Sequence, residues 1–191
     1  MAAELPILLF EQPGDWAEWL RANHDSAPGV WMRLAKKDAG LRSVTYAEAL
    51  DEALCYGWID SHKKSFDEQS WLQKFTPRGP RSIWSRINRD KVQALVEQGR
   101  MKPAGIAAVD AAKGDGRWDA AYESQSNATV PDDLQAALDA SPRAAEFFAT
   151  LRGANRYAIL FRVHNAKKPE TRAKRIADFV AMLERGETIH G

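Results

Sequence analysis

The sequence predicts an α+β protein, in which a small, mainly antiparallel sheet with helices is followed by an all-helical C-terminal subdomain. Segments with the two-residue apolar period of strands lie before residue 80, whereas apolar residues after 131 recur at helical spacing. Residues 114–130 are rich in Gly, Ser and Asn and show little period, which predicts a boundary. We therefore expect an α+β domain over residues 1–126 and a helical subdomain over 127–191 that packs against it.

The first predicted elements alternate between strand and helix. A strand over residues 5–10 is followed by a short helix, and alternating apolar and polar residues predict a second strand over 30–34. Thr45 and Glu48 then form a capping box, because each side chain can accept a hydrogen bond from the backbone N–H of the other residue. They begin a helix that ends at Gly57.

Residues 58–65 and 70–76 are predicted to form a β-hairpin that turns at Asp67-Glu68. A two-residue loop there creates four cross-strand pairs: Lys64 with Trp71, His62 with Gln73, Asp60 with Phe75, and Trp58 with Pro77. All eight side chains would then share one face of the sheet. A shift of one residue would turn half of them to the opposite face.

The rest of the chain is predicted to be helical. Asn88 is a suitable N-cap for a helix that ends at Gly99, and Pro103 begins another. After Pro131, four sets of apolar residues at helical spacing predict four further helices. Because short helices are marginally stable alone in water, these must pack on one another or on the first domain.

The composition is that of an ordinary globular protein, with 45% hydrophobic and 28% charged residues. The apolar run over residues 5–10 is far shorter than the roughly 20 residues of a membrane-spanning helix, and no targeting segment is recognised. The single cysteine, Cys55, lies in the apolar pattern of a helix, which favours a buried structural thiol over a reactive one. We expect a cytoplasmic protein.

Aromatic and polar side chains are interleaved between residues 57 and 88, a mixture typical of a ligand pocket. The candidate ligand-binding residues are Trp58, Asp60, His62, Lys64, Trp71, Gln73, Phe75, Arg78, Arg81, Ser82, Trp84 and Asn88. The rings would provide stacking area, the arginines would contact an anion, and the remaining polar groups would give specificity. The alternative is structural: the rings pack under helices, and the arginines pair with nearby carboxylates.

These residues predict a non-catalytic binding protein that sequesters or senses a small molecule or peptide. An enzyme is the first alternative, with Asp60 and His62 as an acid–base pair, although no nucleophile motif accompanies them. Nucleic-acid binding is the second, through the basic residues between 152 and 175, but the pI of 7.9 and the lack of a recognition motif argue against it. The four histidines and one cysteine lack metal-site spacing, so no metal or other cofactor is expected.

Several motifs resemble those of one protein family. They are Gly57-Trp-Ile-Asp-Ser61, Phe75-Thr-Pro-Arg78, Ser82-Ile-Trp-Ser-Arg-Ile-Asn88, Gly99-Arg-Met-Lys-Pro-Ala-Gly105, Gly116-Arg-Trp118, Val130-Pro-Asp-Asp-Leu134 and Ala166-Lys-Lys-Pro-Glu-Thr-Arg-Ala-Lys-Arg-Ile176. Together, from about residue 40 to Gly186, they resemble the bacteriocin-protection family, also called YdeI or OmpD-associated (OmdA-like) proteins. The resemblance implies a link to resistance against bacteriocins or cationic antimicrobial peptides. It also implies an N-terminal part similar to the YjbR/CyaY group of small α/β folds, and it implies no catalytic residue.

Overall fold

The structure, a computed structural model, describes residues 4–190, which form two compact units. The first unit ends at Ala121 and the second begins at Tyr122. The described residues contain eight helices and a four-stranded, mostly antiparallel sheet, so the predicted α+β class is confirmed.

The sheet belongs to the first unit. Its strands are β1 (Ile7–Leu8), β2 (Val30–Ala35), β3 (Trp58–Ser65) and β4 (Ser70–Pro77). Their spatial order is β1-β2-β4-β3, in which β1 is parallel to β2 and the other neighbours are antiparallel. The first strand is shorter than the predicted 5–10 segment. β3 is an edge strand, so one side of its backbone is not paired within this sheet.

Four helices accompany the sheet: α1 (Pro13–Asn23), α2 (Tyr46–Cys55), α3 (Arg86–Glu97) and α4 (Pro103–Gly114). The capping box predicted for α2 is present, because Thr45 Oγ1 accepts from the Glu48 N–H at 3.3 Å and the Glu48 carboxylate accepts from the Thr45 N–H at 2.8 Å. The predicted start of α3 is wrong. Its N-cap is Ser85, whose backbone is extended and whose Oγ accepts from the N–H of Asn88 at 3.1 Å, so Asn88 lies inside the first turn.

Alternation along β2 divides the sheet into two faces. Val30, Met32 and Leu34 are buried on the inner face, in one core cluster with apolar residues of α1 and α2, such as Leu20 and Leu50. The outer face carries Trp31, Arg33 and Ala35, which are half-buried. Because paired residues share a face, the β2–β4 pairs assign the β4 residues from Ser70 to Phe75 to a face: Trp71, Gln73 and Phe75 to the inner face, and Ser70, Leu72 and Lys74 to the outer face.

Two glycines allow α4 to approach the end of α2 closely. Gly57 has a positive φ of 73°, which favours glycine, and a Cβ there would lie 2.9 Å from the carbonyl oxygen of Ala104. A Cβ on Gly105 would lie 2.2 Å from the carbonyl oxygen of Cys55. These glycines therefore allow the start of α4 to pack directly on the C-terminal end of α2.

The second unit is helical. It consists of α5 (Asp132–Asp139), α6 (Pro142–Thr150), α7 (Gly153–His164) and α8 (Pro169–Glu184), which correspond to the four helices predicted after Pro131. Their apolar stripes meet in a separate core cluster that includes Leu134, Phe148, Ile159 and Leu183. This unit thus buries its own apolar surface, as short helices require.

Candidate functional site

The β3–β4 hairpin follows the predicted register only at its open end. Two predicted pairs are present, Trp58 with Pro77 and Asp60 with Phe75. An irregularity between Asp60 and Lys63 then inserts one extra residue into β3, so that Lys63 rather than His62 pairs with Gln73. The predicted pairing of Lys64 with Trp71 is also wrong, because Lys64 pairs with Leu72 and Ser65 with Trp71.

Because of the inserted residue, Lys63 and Lys64 each lie on the sheet face opposite to the one predicted. Lys64 lies on the outer face, where its Nζ is 4.4 Å from the ring centroid of Trp31. Lys63 takes the pairing position predicted for His62, opposite Gln73, and therefore lies on the same face as Trp71. The prediction that Lys64 and Trp71 share a face is therefore wrong.

The reason for the extra residue lies in the turn, which spans residues 66–69 rather than a tight Asp67-Glu68 pair. The Asp67 carboxylate accepts from the Ser70 hydroxyl at 2.6 Å, from the Gln69 N–H at 2.9 Å and from the Arg33 guanidinium at 2.8 Å. These bonds, the Ser70 bond foremost, lower the pKa of Asp67. A wider turn closed by a carboxylate shifts the register by one residue.

Five of the predicted ligand-binding residues are buried. Trp58, Gln73, Phe75 and Trp84 are at most 3% exposed, and Asn88 is 9% exposed. The Trp58 indole N–H donates to the carbonyl of His24 at 3.0 Å, and the Gln73 amide donates to the carbonyl of His62 at 3.2 Å. These side chains are therefore packed in the interior, as the structural alternative expected.

The proline-bounded loop before α3 is held together by its own polar groups. The Arg78 guanidinium lies 3.5 Å above the ring centroid of Trp84 and donates to the carbonyl of Ile83 at 3.2 Å. Ser82 Oγ accepts from the Gly79 N–H at 3.0 Å. Arg81 is exposed. In this loop Arg78 and Ser82 therefore make local contacts, and Arg81 is the most accessible of the three candidates. Their role in ligand binding stays a prediction.

In the part of the chain that the structure describes, Asp60 and His62 are not joined by a hydrogen bond, and their role as an acid–base pair stays a prediction. The Asp60 carboxylate accepts from the Tyr46 hydroxyl at 2.7 Å, and His62 is exposed. Across residues 4–190, no hydrogen bond or ion pair joins these two side chains. The enzyme alternative therefore has no geometric support at the residues on which it was based.

The exposed edge of β3 borders a cleft of about 370 Å³, which we call the basic cleft. It is lined by Lys36, Lys63, Lys64, Ser65 and Trp71. Its lining holds three lysines and, among residues 4–190, no carboxylate. The Lys36 ammonium donates to the backbone carbonyl of Asp67 at 2.7 Å, which orients one cation at the rim.

Two of the predicted residues, Lys64 and Trp71, thus line the basic cleft, and Lys36 and Lys63 were missed. The lysine doublets at 36–37 and 63–64 are visible in the sequence, but only the pairing of β2 with β4 brings them to one end of the sheet. Trp71 is half-buried, with its ring centroid 6.2 Å from that of Tyr46. The cleft can therefore combine ionic contacts with stacking on an indole ring.

Most of the basic residues between 152 and 175 are engaged locally. Arg152 and Arg175 donate to backbone carbonyls. Arg172 and Lys174 pair with the carboxylates of Asp133 and Asp178. The Arg156 guanidinium lies over the Phe148 ring. They do not present a bare row of cations to a phosphate backbone. Over residues 4–190 there is no group of three or more His, Cys, Asp or Glu side chains placed to hold a metal ion. No helix in that range is long and apolar enough to span a membrane.

Comparisons with known proteins give two family matches. The family described as Domain of unknown function (DUF8412) matches residues 8–108, more than half of the chain. The family described as Bacteriocin-protection, YdeI or OmpD-Associated (OmdA) matches residues 127–186. No curated protein and no solved structure matches the chain.

The OmdA match confirms the family suggested by the motifs, over a shorter stretch than the expected 40–186. The similarity of the N-terminal part to the YjbR/CyaY group stays a prediction, because the family that matches there is one of unknown function. The chain therefore belongs to the DUF8412 family through its first unit and carries a bacteriocin-protection (OmdA) domain in its second.

Proposed function

We propose that this protein is a non-catalytic binding protein that sequesters or senses a small anionic molecule in the basic cleft. The observation that supports the proposal is the convergence of three lysines and a half-buried tryptophan on one cleft without a carboxylate in its lining. A role related to bacteriocin protection is consistent with the OmdA match. In this proposal, the anionic ligand of the basic cleft is the molecule that the protein captures or detects in a protection-related role.

The electrostatics favour an anion. The lining of the cleft carries three lysines without a carboxylate among residues 4–190, and an anion bound there would accept charge-assisted hydrogen bonds from their ammonium groups. Each such bond contributes roughly 1.5–3 kcal/mol. Lys36 is already held by the Asp67 carbonyl, so less side-chain entropy is lost when it binds.

The ring of Trp71 favours a ligand that has a planar group beside its charge. Stacking of a base or ring on an aromatic side chain contributes about 1–3 kcal/mol. The Ser65 hydroxyl can donate a further bond. The volume of about 370 Å³ lies within the range of small-molecule sites, which suits a single charged ring better than a folded peptide.

The test is a calorimetric titration of the full chain with phenyl phosphate, inorganic phosphate and phenol. We expect phenyl phosphate to bind more tightly than phosphate, and phenol not to bind measurably. Lys63→Gln should weaken phenyl phosphate by about 10- to 100-fold, the equivalent of one charge-assisted hydrogen bond. Trp71→Leu should remove the preference for phenyl phosphate over phosphate.

Lys37→Gln is the matched control, because Lys37 neighbours Lys36 in sequence but does not line the cleft. It removes the same charge from the same end of the sheet. If Lys37→Gln weakens phenyl phosphate as much as Lys63→Gln does, binding reflects general charge and the cleft is not the site. If neither phosphate compound binds, the proposed ligand class is wrong.

A further inference from the structure

The second unit contains a separate cavity of about 250 Å³ whose lining comes from that unit alone. Its apolar and aromatic walls include Tyr122, Tyr157, Leu160 and Phe161. Its polar lining consists of Glu123, Thr129, His164 and Arg172, so it holds a carboxylate as well as a guanidinium. Most of this lining falls within the OmdA match at 127–186. The basic cleft, in contrast, is lined by residues of the first unit.

Three rings form the aromatic wall. The centroid of Phe161 lies 4.9 Å from that of Tyr122, with the rings nearly perpendicular at 86°, and 5.8 Å from that of Tyr157. The Tyr157 hydroxyl donates to the carbonyl of Glu123 at 2.9 Å, and burial raises the pKa of this phenol to about 12. The Tyr157 phenol therefore stays uncharged at neutral pH, and the three rings offer both ring faces and ring edges to a guest.

Arg172 is held rigidly in the cavity wall. Its Nε and Nη2 donate to the two carboxylate oxygens of Asp133 at 2.5 and 2.8 Å, and its Nη1 donates to the Val163 carbonyl at 2.7 Å. These bonds use three of the five N–H donors of a guanidinium. The group can thus still donate two hydrogen bonds, while Asp133 balances its charge.

From this combination we infer that the cavity binds a neutral aromatic molecule of one or two rings that carries a hydrogen-bond acceptor. A dry cavity of about 150 Å³ is known to hold benzene, so about 250 Å³ suits a ring with a small substituent. The aromatic wall selects a ring, and the donors of Arg172 select an acceptor. An anion gains little from a guanidinium whose charge is already balanced by Asp133.

The probe is benzamide, a neutral ring with a carbonyl acceptor, titrated into the ¹⁵N-labelled full chain and followed by amide chemical shifts. Two matched compounds separate its features: benzoate has the same shape with a charge, and cyclohexanecarboxamide has the same acceptor without an aromatic ring. We expect benzamide to shift amides of α7 and of the segment 122–131, and to bind at least about tenfold more tightly than either compound.

Two variants test the site independently. Ala128→Leu fills part of the cavity without removing a hydrogen bond, and should reduce benzamide affinity at least tenfold. Arg172→Lys keeps the charge opposite Asp133 but loses the forked donors, and should reduce it about tenfold. Arg175→Lys is the control, since Arg175 is on the same helix but does not line the cavity; it should leave the affinity unchanged.

The inference is overturned if benzamide does not bind, if its shifts lie outside the second unit, or if benzoate or cyclohexanecarboxamide binds as tightly. It is also overturned if Ala128→Leu, in a protein that retains its amide spectrum, binds benzamide as well as the unmodified chain does. The two sites lie in different units and are tested with different probes and different variants, phenyl phosphate with Lys63→Gln and benzamide with Ala128→Leu. Failure at one site therefore does not imply failure at the other.

Discussion

Gly105 lies where α4 passes the C-terminal end of α2, and replacing it with alanine tests that contact directly. The added Cβ would lie 2.2 Å from the carbonyl oxygen of Cys55, whereas an ordinary C···O contact is about 3.3 Å. The oxygen is backbone and already accepts from the Lys102 N–H at 3.0 Å. It therefore cannot move away without weakening that hydrogen bond.

Two effects oppose each other in Gly105→Ala. Alanine is a better helix former than glycine by about 1 kcal/mol, which would stabilise α4. Overpacking of this kind costs about 1–3 kcal/mol, and the weakened hydrogen bond adds about 1 kcal/mol. Because the overlap exceeds an ångström, we expect the upper end of that range and a net loss of about 2–3 kcal/mol in the free energy of unfolding.

The assay is urea unfolding followed by tryptophan fluorescence, which reports the first unit because every tryptophan belongs to it. Gly114→Ala is the matched control at the end of the same helix, where an added Cβ meets nothing within 4 Å. It should leave the stability unchanged or raise it by up to about 1 kcal/mol. If Gly105→Ala is as stable as the unmodified protein, the close packing of α4 on α2 is refuted.

Three further predictions follow from single contacts. Burial, with Glu52 nearby, raises the pKa of the Cys55 thiol to about 11. Alkylation of Cys55 by iodoacetamide at pH 8 should therefore be at least about 100-fold slower in the folded protein than in the protein unfolded in urea. Equal rates would contradict this prediction. Ser85→Ala should cost about 1 kcal/mol in urea unfolding but Ser85→Gly only a few tenths, and a similar loss in both would argue against an N-cap. The hydrogen bond from Arg172 lowers the pKa of Asp133, so this pair stabilises the protein above the ordinary carboxyl pKa of about 4, and its contribution is lost as the pH falls through the lower folded value. The difference in melting temperature between the unmodified chain and Asp133→Asn should thus be largest near pH 7 and shrink in acid; a constant difference would refute the assignment.

Features that depend on neighbours in sequence were predictable. The capping box of Thr45 and Glu48 needs only residues three apart, and it is present in the structure. The helices after Pro131 follow from apolar spacing, since an amphipathic stripe of that period can be buried only as a helix. The hairpin was also predictable, because two strand-like segments flank a turn rich in polar residues.

Features that depend on distant residues were not predictable. The register of β3 beyond Asp60 depends on a turn in which Asp67 is held by Arg33, which is 34 residues away in sequence. The local sequence from Asp67 to Ser70 does not indicate that Arg33 bonds to Asp67. A tight turn was therefore expected, and Lys64 was placed on the wrong face.

The set of residues that line the basic cleft also depends on contacts between residues distant in sequence. Lys64 and Trp71 could be named from the hairpin, but Lys36 reaches the cleft only because β2 pairs with β4. The burial of Trp58 and Trp84 also depends on which surfaces the helices cover. An aromatic residue next to polar residues is equally suited to a pocket wall and to a core edge, so sequence alone leaves that choice open.

The amino-acid sequence by itself determined the fold class, the helical character of the C-terminal part and the existence of the hairpin, because each depends on local periodicity and capping. Tertiary structure alone decided which lysine faces Trp71, which aromatic rings are buried and which cations share a cleft. The physical reason is that these outcomes depend on hydrogen bonds and packing between residues tens of positions apart, whose partners no short stretch of sequence specifies.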